Sequence, residues 1–398
     1  MVQDASPVSF TGPLGPYADG IRVHLLELGY TPLSAAQLLR LTRQLSRWLD
    51  RRSLCLSALT STLAARFIRA RRRARRTQFV STRSLRPILA FLSTKGAISS
   101  AVEAPIRQDP ADALVGRYLA HLEQERGLGA PTIASHEHFT KRFLDRHPDL
   151  DSLAAADVTG FVLQESKQYS VGSTKVITTV LRSFLRYLYL SGRAEVDLRG
   201  AVPAVAGWRL TGLPKALAAE DVDQLLSSCD RRTAMGKRDF AILLLLARLG
   251  LRACEVRTLL LDDIRWSDGV IVIRGKGSVI SELPLPEDIG QALVAYLRVR
   301  GRPSTRSLFL RVRAPLRGLG ASTVTQIVFR ASKRADLAPV FAHRLRHTVA
   351  TEMLRQGGSL TEIAHALRHR ATDTTAIYAK VDTTRLRTLA RPWPGRSS

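Results

Sequence analysis

The residues of this sequence with the clearest chemical potential are arginines, histidines, one lysine and one tyrosine that follow residue 250. Two of the arginines stand in short motifs, Gly-Leu-Arg-Ala-Cys-Glu around Arg252 and His-Arg-Leu-Arg-His around Arg346. A guanidinium keeps its charge at physiological pH and donates two parallel hydrogen bonds to a phosphate group. Two such groups in the company of histidines, a lysine and a tyrosine suit chemistry on an anionic phosphate.

One hairpin and a set of helices must position these groups. A β-branched run from Val270 to Arg274 precedes the glycine-rich stretch Gly275-Lys-Gly-Ser278, and a second apolar run follows. This pattern predicts a β-hairpin that carries Lys276 at its tip. His343 and Arg346 are three residues apart in a helical stretch, which places both side chains on one helix face.

The charge of the chain indicates a polyanionic partner. Its 398 residues include 60 Lys and Arg against 34 Asp and Glu, which gives a net charge of +26. Nucleic acid is the leading candidate for such a protein, and an acidic membrane surface is the second. No apolar run approaches the ~18–20 residues of a membrane span, the first residues lack a secretory pattern, and the three cysteines show no metal spacing. We therefore expect a cytoplasmic protein without a membrane partner.

Composition along the chain predicts two helical modules, a Pro- and Gly-containing linker and a larger, mostly helical domain with the small sheet. In that order they span residues 1–100, 107–197, 198–214 and 215–398. The two helical modules share residues at a near-constant offset. Trp48-Leu49 matches Phe143-Leu144 at an offset of 95, and Gly96 matches Gly192 at 96. This offset favours a duplicated module.

Taken in order, the chemical residues resemble the active site of the tyrosine site-specific recombinases, the phage-integrase and Xer-type family. The order is arginine, hairpin lysine, His-x-x-Arg-His, a histidine, and a tyrosine nine residues after that histidine. The resemblance covers about Leu217 to Asp382, and Asp109 to Val196 is similar to the family's core-binding domain. It implies a mainly α fold with two N-terminal helical DNA-binding modules and a C-terminal, mostly helical catalytic domain with a small antiparallel sheet.

The resemblance also implies a role for each residue. It makes Tyr378 the nucleophile that attacks phosphorus and leaves a 3′-phosphotyrosine with a free 5′-hydroxyl. Arg252 and Arg346 are expected to clamp the non-bridging oxygens, where negative charge grows in the transition state. Lys276 is expected to protonate the leaving 5′-oxygen.

Three further side chains complete the implied site. His343 is the implied base near the tyrosine, His369 hydrogen-bonds the scissile phosphate, and Glu255 orients Arg252 or a histidine. The resemblance implies no metal ion and no cofactor, because arginines take the electrostatic role of a divalent ion. His343 and His347 are spaced like a metal-binding pair, but no Glu lies between them and no third ligand is near. We therefore expect His347 to be a packing or surface residue.

The sequence departs from the family pattern at two positions in a way that adds charge, whereas Val279, Ile280 and Ser281 stand where the family's hairpin commonly carries further basic residues. Arg368 stands where the family usually has a glycine, and Arg344 stands where it commonly has an aspartate. A glycine allows close backbone approach, so Arg368 either alters the local geometry or adds a phosphate contact. Other arginines are candidates for phosphate contact, with a solvated surface as the alternative. They lie in the two N-terminal modules: Arg69, Arg72, Arg73 and Arg182. Arg344 and Arg368 belong to the same group of candidates.

These features predict a DNA strand-exchange enzyme. By resemblance, four identical protomers act on two sites in double-stranded DNA, cut one pair of strands, form a Holliday junction and resolve it without ATP. The additional N-terminal module favours an integrase of a mobile element or phage over a chromosome-dimer resolvase. A partner recombinase or an accessory DNA-bending protein is left open. Two alternatives are a type IB topoisomerase, which relaxes DNA by the same tyrosine chemistry, and a DNA-binding protein without catalysis.

Overall fold

The computed structural model describes residues 10–98, 110–206, 216–275, 279–301, 303, 305–368 and 378. Two compact units account for the chain: residues 101–211 form one, and residues 1–100 together with 212–398 form the other. Lys276 and His369, both predicted to be catalytic, lie outside the described residues. Of the helices that are described, none combines the length and the apolar character needed to span a bilayer.

Residues 10–98 contain four α-helices with a core of their own. The helices are α1 (Ala18–Glu27), α2 (Pro32–Asp50), α3 (Ser61–Arg73) and α4 (Arg86–Thr94). Thr31 and Thr60 cap α2 and α3, because each side chain accepts a hydrogen bond from a backbone N–H in the first turn. The apolar face of α2 is buried in this core, as its helical spacing requires: Leu38, Leu41, Leu45 and Leu49.

Residues 110–206 form the described part of the second unit, which also contains four α-helices. They are α5 (Pro110–Gln124), α6 (Ala130–Leu144), α7 (Ala155–Ser166) and α8 (Val171–Leu190). Aromatic side chains fill the centre of this unit, where Tyr118, Phe143 and Phe184 are buried. Leu198 and Val202 pack against the same core, although they fall in the segment predicted to be a linker.

The two four-helix modules end their last helices in the same way. Gly96 follows α4 with a φ of +64°, and Gly192 follows α8 with a φ of +66°. In each case the next residue donates a backbone hydrogen bond of 2.9 Å to the carbonyl five residues before it. This is the helix-ending turn that glycine favours. The shared ending accords with the offset of 96 between the modules, and their duplication stays a prediction.

The remaining described residues form helices around a small sheet. The helices are α9 (Ala219–Ser227), α10 (Ala234–Leu249), α11 (Ala253–Thr258), α12 (Glu287–Leu297), α13 (Thr323–Arg334), α14 (Ala342–Arg355) and α15 (Leu360–Ala366). The strands are β1 (Ile264–Arg265), β2 (Val270–Arg274) and β3 (Ile280–Pro284). They pair antiparallel in the order β1-β2-β3, with Arg274 opposite Ile280. The predicted fold class, mainly helical with a small antiparallel sheet, is confirmed.

Helix α10 is the central element of this domain. Its residues 241–246 are all buried, which is expected for a helical run that is apolar on every side. The helix ends at Leu249, and the chain then turns at Gly250 into α11. The core of the domain thereby fixes the start of α11, where Arg252 stands.

Candidate active site

The turn between α10 and α11 joins three segments of the site. Gly250 has a φ of +57°, a left-handed conformation that glycine adopts without steric cost. A Cβ atom on Gly250 would lie 2.7 Å from Cδ2 of Leu367, so the glycine also admits this leucine. The Gly250 carbonyl oxygen accepts a hydrogen bond from Nη1 of Arg346 at 2.6 Å. A single residue therefore aligns the segments that carry Arg252, Arg346 and Leu367.

Glu255 is a buried carboxylate in the first turn of α11, with 2% of its surface exposed. Its Oε2 accepts the backbone N–H of Arg252 at 2.8 Å, and its Oε1 accepts Nη1 of the same arginine at 2.7 Å. Nη2 of Arg368 donates to Oε2 at 3.0 Å. Burial by itself raises the pKa of Glu255, but these hydrogen bonds and the charges of Arg368 and Arg252 outweigh it and lower the pKa. Glu255 is therefore ionised and pairs with two guanidiniums.

Arg346 is a buried arginine, with only 1% of its surface exposed. Its guanidinium donates to two backbone carbonyls, those of Gly250 and Leu367. Burial, and then the positive charge of Arg252, lower the pKa of Arg346 to about 10. Arg346 still carries its charge at neutral pH. The fold thus holds two like charges close enough to repel each other.

Two consecutive carbonyl groups bind both of these arginines. The carbonyl of Leu367 accepts from Arg346, and the carbonyl of Arg368 accepts from Nη2 of Arg252 at 3.2 Å. Arg368 has a φ of +54°, the left-handed conformation that favours glycine. Its side chain is 10% exposed and pairs with Glu255. Arg368 therefore keeps a glycine-like backbone and adds a third guanidinium to the site.

Tyr378 is buried, with 1% of its surface exposed, and packs in an apolar cluster that includes Val349 and Leu367. Its hydroxyl oxygen lies 2.7 Å from Nδ1 of His347. Burial raises the pKa of Tyr378, and the charge of Arg346 partly opposes this rise. Burial, and then the charges of His343 and Arg346, lower the pKa of His347 to about 4. A neutral imidazole nitrogen at this distance can accept the proton of the tyrosine hydroxyl.

His347 is the residue that sequence reasoning assigned to packing, and the structure places it in contact with Tyr378 instead. The four-residue spacing from His343 was the available signal, because it puts both rings on one face of α14. The two rings meet edge to face with centroids 4.5 Å apart. His343 is exposed, yet neighbouring protein atoms and then the charges of Arg346 and Arg252 lower its pKa. In the described part of the chain, no three His, Cys, Asp or Glu residues are grouped to hold a metal ion.

Comparison with known proteins identifies the family. The Phage integrase family matches residues 215–385, and the Phage integrase N-terminal SAM-like domain matches residues 115–192. The chain is 42% identical over 395 residues to y4rA of Sinorhizobium fredii, which carries the name integrase/recombinase. This alignment covers 97% of the present chain and 96% of y4rA. The chain belongs to the phage integrase family of tyrosine recombinases.

Further similarities agree with this assignment. Over 301 residues the recombinase is 32% identical to the tyrosine recombinase XerD of Listeria monocytogenes. This alignment covers 99% of XerD and 71% of the present chain. Its fold is similar to that of a lambda integrase tetramer bound to a Holliday junction, with a TM-score of 0.55 and 18% identity. That match covers 81% of the recombinase and 90% of the integrase chain. Family membership makes this protein an enzyme of DNA recombination.

The arginines predicted to contact DNA lie in several parts of the recombinase. Arg69, Arg72 and Arg73 are exposed on α3, and Nε of Arg72 donates to the carbonyl of Val80 at 2.8 Å. Arg182 is exposed on α8, and its Nη2 donates to the carbonyl of Val202 at 2.9 Å. Arg344 is half-buried on α14. Arg72 and Arg182 therefore stabilise local structure, and DNA contact by these five residues and by Arg368 stays a prediction.

Proposed function

We propose that this recombinase cleaves and rejoins double-stranded DNA through a covalent 3′-phosphotyrosine on Tyr378. The observation that carries the proposal is the pairing of Arg252 and Arg346 at the carbonyls of residues 367 and 368. Burial, and then the charge of Arg252, lower the pKa of Arg346, so the charged form of Arg346 is held at a cost in free energy. An anion between them removes that cost. The Arg252 side chain is 32% exposed and can be reached by such a ligand.

The proposed cleavage step uses the groups of this site in defined roles. The hydroxyl oxygen of Tyr378 attacks phosphorus, and the bond from phosphorus to the 5′-oxygen breaks. The phenol proton passes to a neutral histidine, and Nδ1 of His347 is at hydrogen-bond distance from it. The leaving 5′-oxygen takes a proton, which the family resemblance assigns to Lys276. Arg252 and Arg346 stabilise the charge that grows on the non-bridging oxygens.

Rejoining runs the same steps in reverse. A 5′-hydroxyl attacks the phosphotyrosine, and the tyrosine leaves with its proton returned. The number of phosphodiester bonds is conserved, so the proposed reaction needs no ATP, and no step of it uses a metal ion or another cofactor. His369 is assigned a hydrogen bond to the scissile phosphate by the family resemblance. Strands are exchanged when the attacking 5′-hydroxyl belongs to a second DNA site.

We further propose that four protomers act on two sites and that the reaction integrates or excises a mobile element. The similarity in fold to a lambda integrase tetramer bound to a Holliday junction supports the assembly. The similarity to y4rA extends over 97% of the chain, whereas nearly all of XerD matches only 71% of it. This chain therefore matches a protein named integrase/recombinase over residues that the match to XerD does not cover. The proposal leaves the need for a partner recombinase or an accessory DNA-bending protein open.

A recombination assay tests the proposal. A plasmid carries two copies of the DNA junction at the border of the element that encodes the chain, and it is incubated with protein and a chelator but without ATP. The expected result is deletion or inversion, according to site orientation, and neither with Tyr378→Phe. Relaxed plasmid without recombined product would indicate topoisomerase activity instead. Binding without relaxation or recombination would indicate a DNA-binding protein.

A further inference from the structure

A loop of the catalytic domain is docked on the N-terminal four-helix module. The loop spans residues 311–317 and closes on itself, because the N–H of Arg311 donates to the carbonyl of Arg317 at 2.9 Å. The N–H of Leu316 donates to the carbonyl of Leu28, at the end of α1, at 2.7 Å. A Cβ atom on Gly29 would lie 2.4 Å from Cδ1 of Leu316, so a larger residue at position 29 would have to displace this leucine. The contact therefore has a defined geometry.

Beside this contact lies a groove of about 1100 Å³, which we name the arginine groove. Its walls come from both partners, the N-terminal module and the loop. No acidic side chain lines it, whereas five arginines do: Arg83, Arg86, Arg311, Arg313 and Arg317. Among the described residues, none of these five guanidiniums forms an ion pair with a carboxylate. Five uncompensated positive charges in one groove indicate an anionic ligand.

A smaller groove of about 270 Å³ extends this surface across the N-terminal module. It shares Gln37 and Phe79 with the arginine groove and is lined by three more arginines, Arg40, Arg71 and Arg76. Arg71 donates to the carbonyls of Gln78 and Phe79, which orders the chain between the two grooves. No acidic side chain lines this groove either. The positive surface therefore extends over helices α2, α3 and α4, a connecting segment and the docked loop.

The length of this surface favours a polymer over a single small anion. A phosphate or carboxylate ligand needs two or three converging donors, whereas eight arginines line these two connected grooves. Duplex DNA carries one negative charge per ~1.7 Å of its axis and can therefore contact several of these arginines at once. None of the groove residues belongs to the set around Glu255 and Tyr378. The surface therefore suits a stretch of DNA other than the one that is cleaved.

We propose that the arginine groove and its smaller extension bind the phosphate backbone of duplex DNA that flanks the cleaved segment. The inference rests on the proposed function for the identity of the ligand. The N-terminal module and the catalytic domain build this site together, so the module contributes affinity without reading bases. Binding at this site depends on duplex length and on salt.

The test compares two triple variants of the docked loop. Arg311, Arg313 and Arg317 are replaced together by Gln in one variant and by Lys in the other, which keeps the charge. Binding of full-length protein to a core-length duplex and to an extended duplex is measured from 50 to 200 mM salt. On the extended duplex we expect the Gln variant to lose up to about 2.7 units of the log–log salt slope, about 0.9 per phosphate contact. Wild-type affinity then falls up to about 40-fold more than that of the Gln variant over this range.

Several outcomes separate this inference from the proposed function. Equal salt slopes for the Gln and Lys variants on the extended duplex would overturn the inference. A second variant, Arg83→Gln with Arg86→Gln, removes charge from the other wall and decides the question if the loop variant melts at a lower temperature than wild type. Unchanged slopes in this second variant also contradict the inference. Wild-type protein that shows the predicted slopes but forms no covalent adduct contradicts the proposed function and leaves the groove assignment intact.

Discussion

Replacement of Glu255 by Gln tests whether one buried carboxylate holds the guanidiniums of the site. The wild-type side chain accepts three hydrogen bonds, two from Arg252 and one from Arg368. Glutamine keeps the size and one oxygen acceptor of glutamate, but its NH₂ group faces an N–H donor of Arg252 or Arg368. The negative charge of the carboxylate is also lost. At least one guanidinium then loses its partner, and three positive charges, including that of Arg346, are left without their carboxylate.

The expected loss of stability follows from the burial of these groups. Breaking a buried ion pair costs about 3–5 kcal/mol. The Arg252 side chain is 32% exposed and regains water, which favours the lower end of that range. A loss of about 3 kcal/mol corresponds to a melting temperature lower by about 6–12 °C for a domain of 150–250 residues. DNA cleavage is also expected to slow, because Arg252 loses the partner that orients it.

Thermal denaturation from neutral to acidic pH measures this effect. The folded-state pKa of Glu255 is lowered, so its charge contributes stability that is complete above the ordinary glutamate pKa of about 4.3. That stability is lost as pH falls through the folded-state pKa. The gap between wild type and Glu255→Gln should therefore be largest near pH 7 and shrink in acid. Glu195→Gln, at an exposed position, is the control. Melting of both variants at the wild-type temperature would refute the reasoning.

Three other substitutions test separate features. Gly29→Ala should lower the melting temperature more than Gly96→Ala. Both glycines have a positive φ, but a Cβ atom on Gly29 would meet Leu316, whereas one on Gly96 would have no other atom within 4 Å. Equal losses would contradict the tight contact. Arg368→Gly should be more stable to urea than Arg368→Ala by about 1 kcal/mol, since both lose the ion pair but only glycine relieves the left-handed backbone; equal stabilities would mean no strain. The pKa of His347 is lowered to about 4, so its protonation makes the fold less stable as pH falls from about 6.5 to 4. In urea titrations, the free energy of unfolding of His347→Gln should therefore depend less on pH over this range. Parallel curves of this free energy against pH for wild type and variant would contradict the prediction.

Local patterns in the sequence predicted the elements that depend on neighbouring residues. The β-branched run from Val270 to Arg274 and its glycine-rich turn predicted the hairpin, which the structure confirms. The short strand Ile264–Arg265 was not predicted, because two residues carry no detectable period. The pairing of Arg252 with Glu255 follows from their spacing of three residues at the start of a helix.

Contacts between distant segments were beyond sequence reasoning. Arg346 binds the carbonyls of Gly250 and Leu367, and no sequence pattern indicates which carbonyls a buried arginine meets. The contact between His347 and Tyr378 depends in the same way on how α14 meets the segment that carries the tyrosine. The family resemblance drew attention to Arg368, but only the structure shows its left-handed backbone and its pairing with Glu255.

Covalent trapping on a nicked suicide duplex tests the central claim most directly. The duplex comes from the border of the mobile element that is proposed to encode the chain, and the reaction contains a chelator but no ATP. Denaturing gels are expected to show a protein–DNA adduct for wild type and none for Tyr378→Phe, with equal DNA binding by both. Peptide mapping of the adduct should place the DNA on Tyr378. An adduct that persists in Tyr378→Phe, or that maps to another residue, would contradict the account.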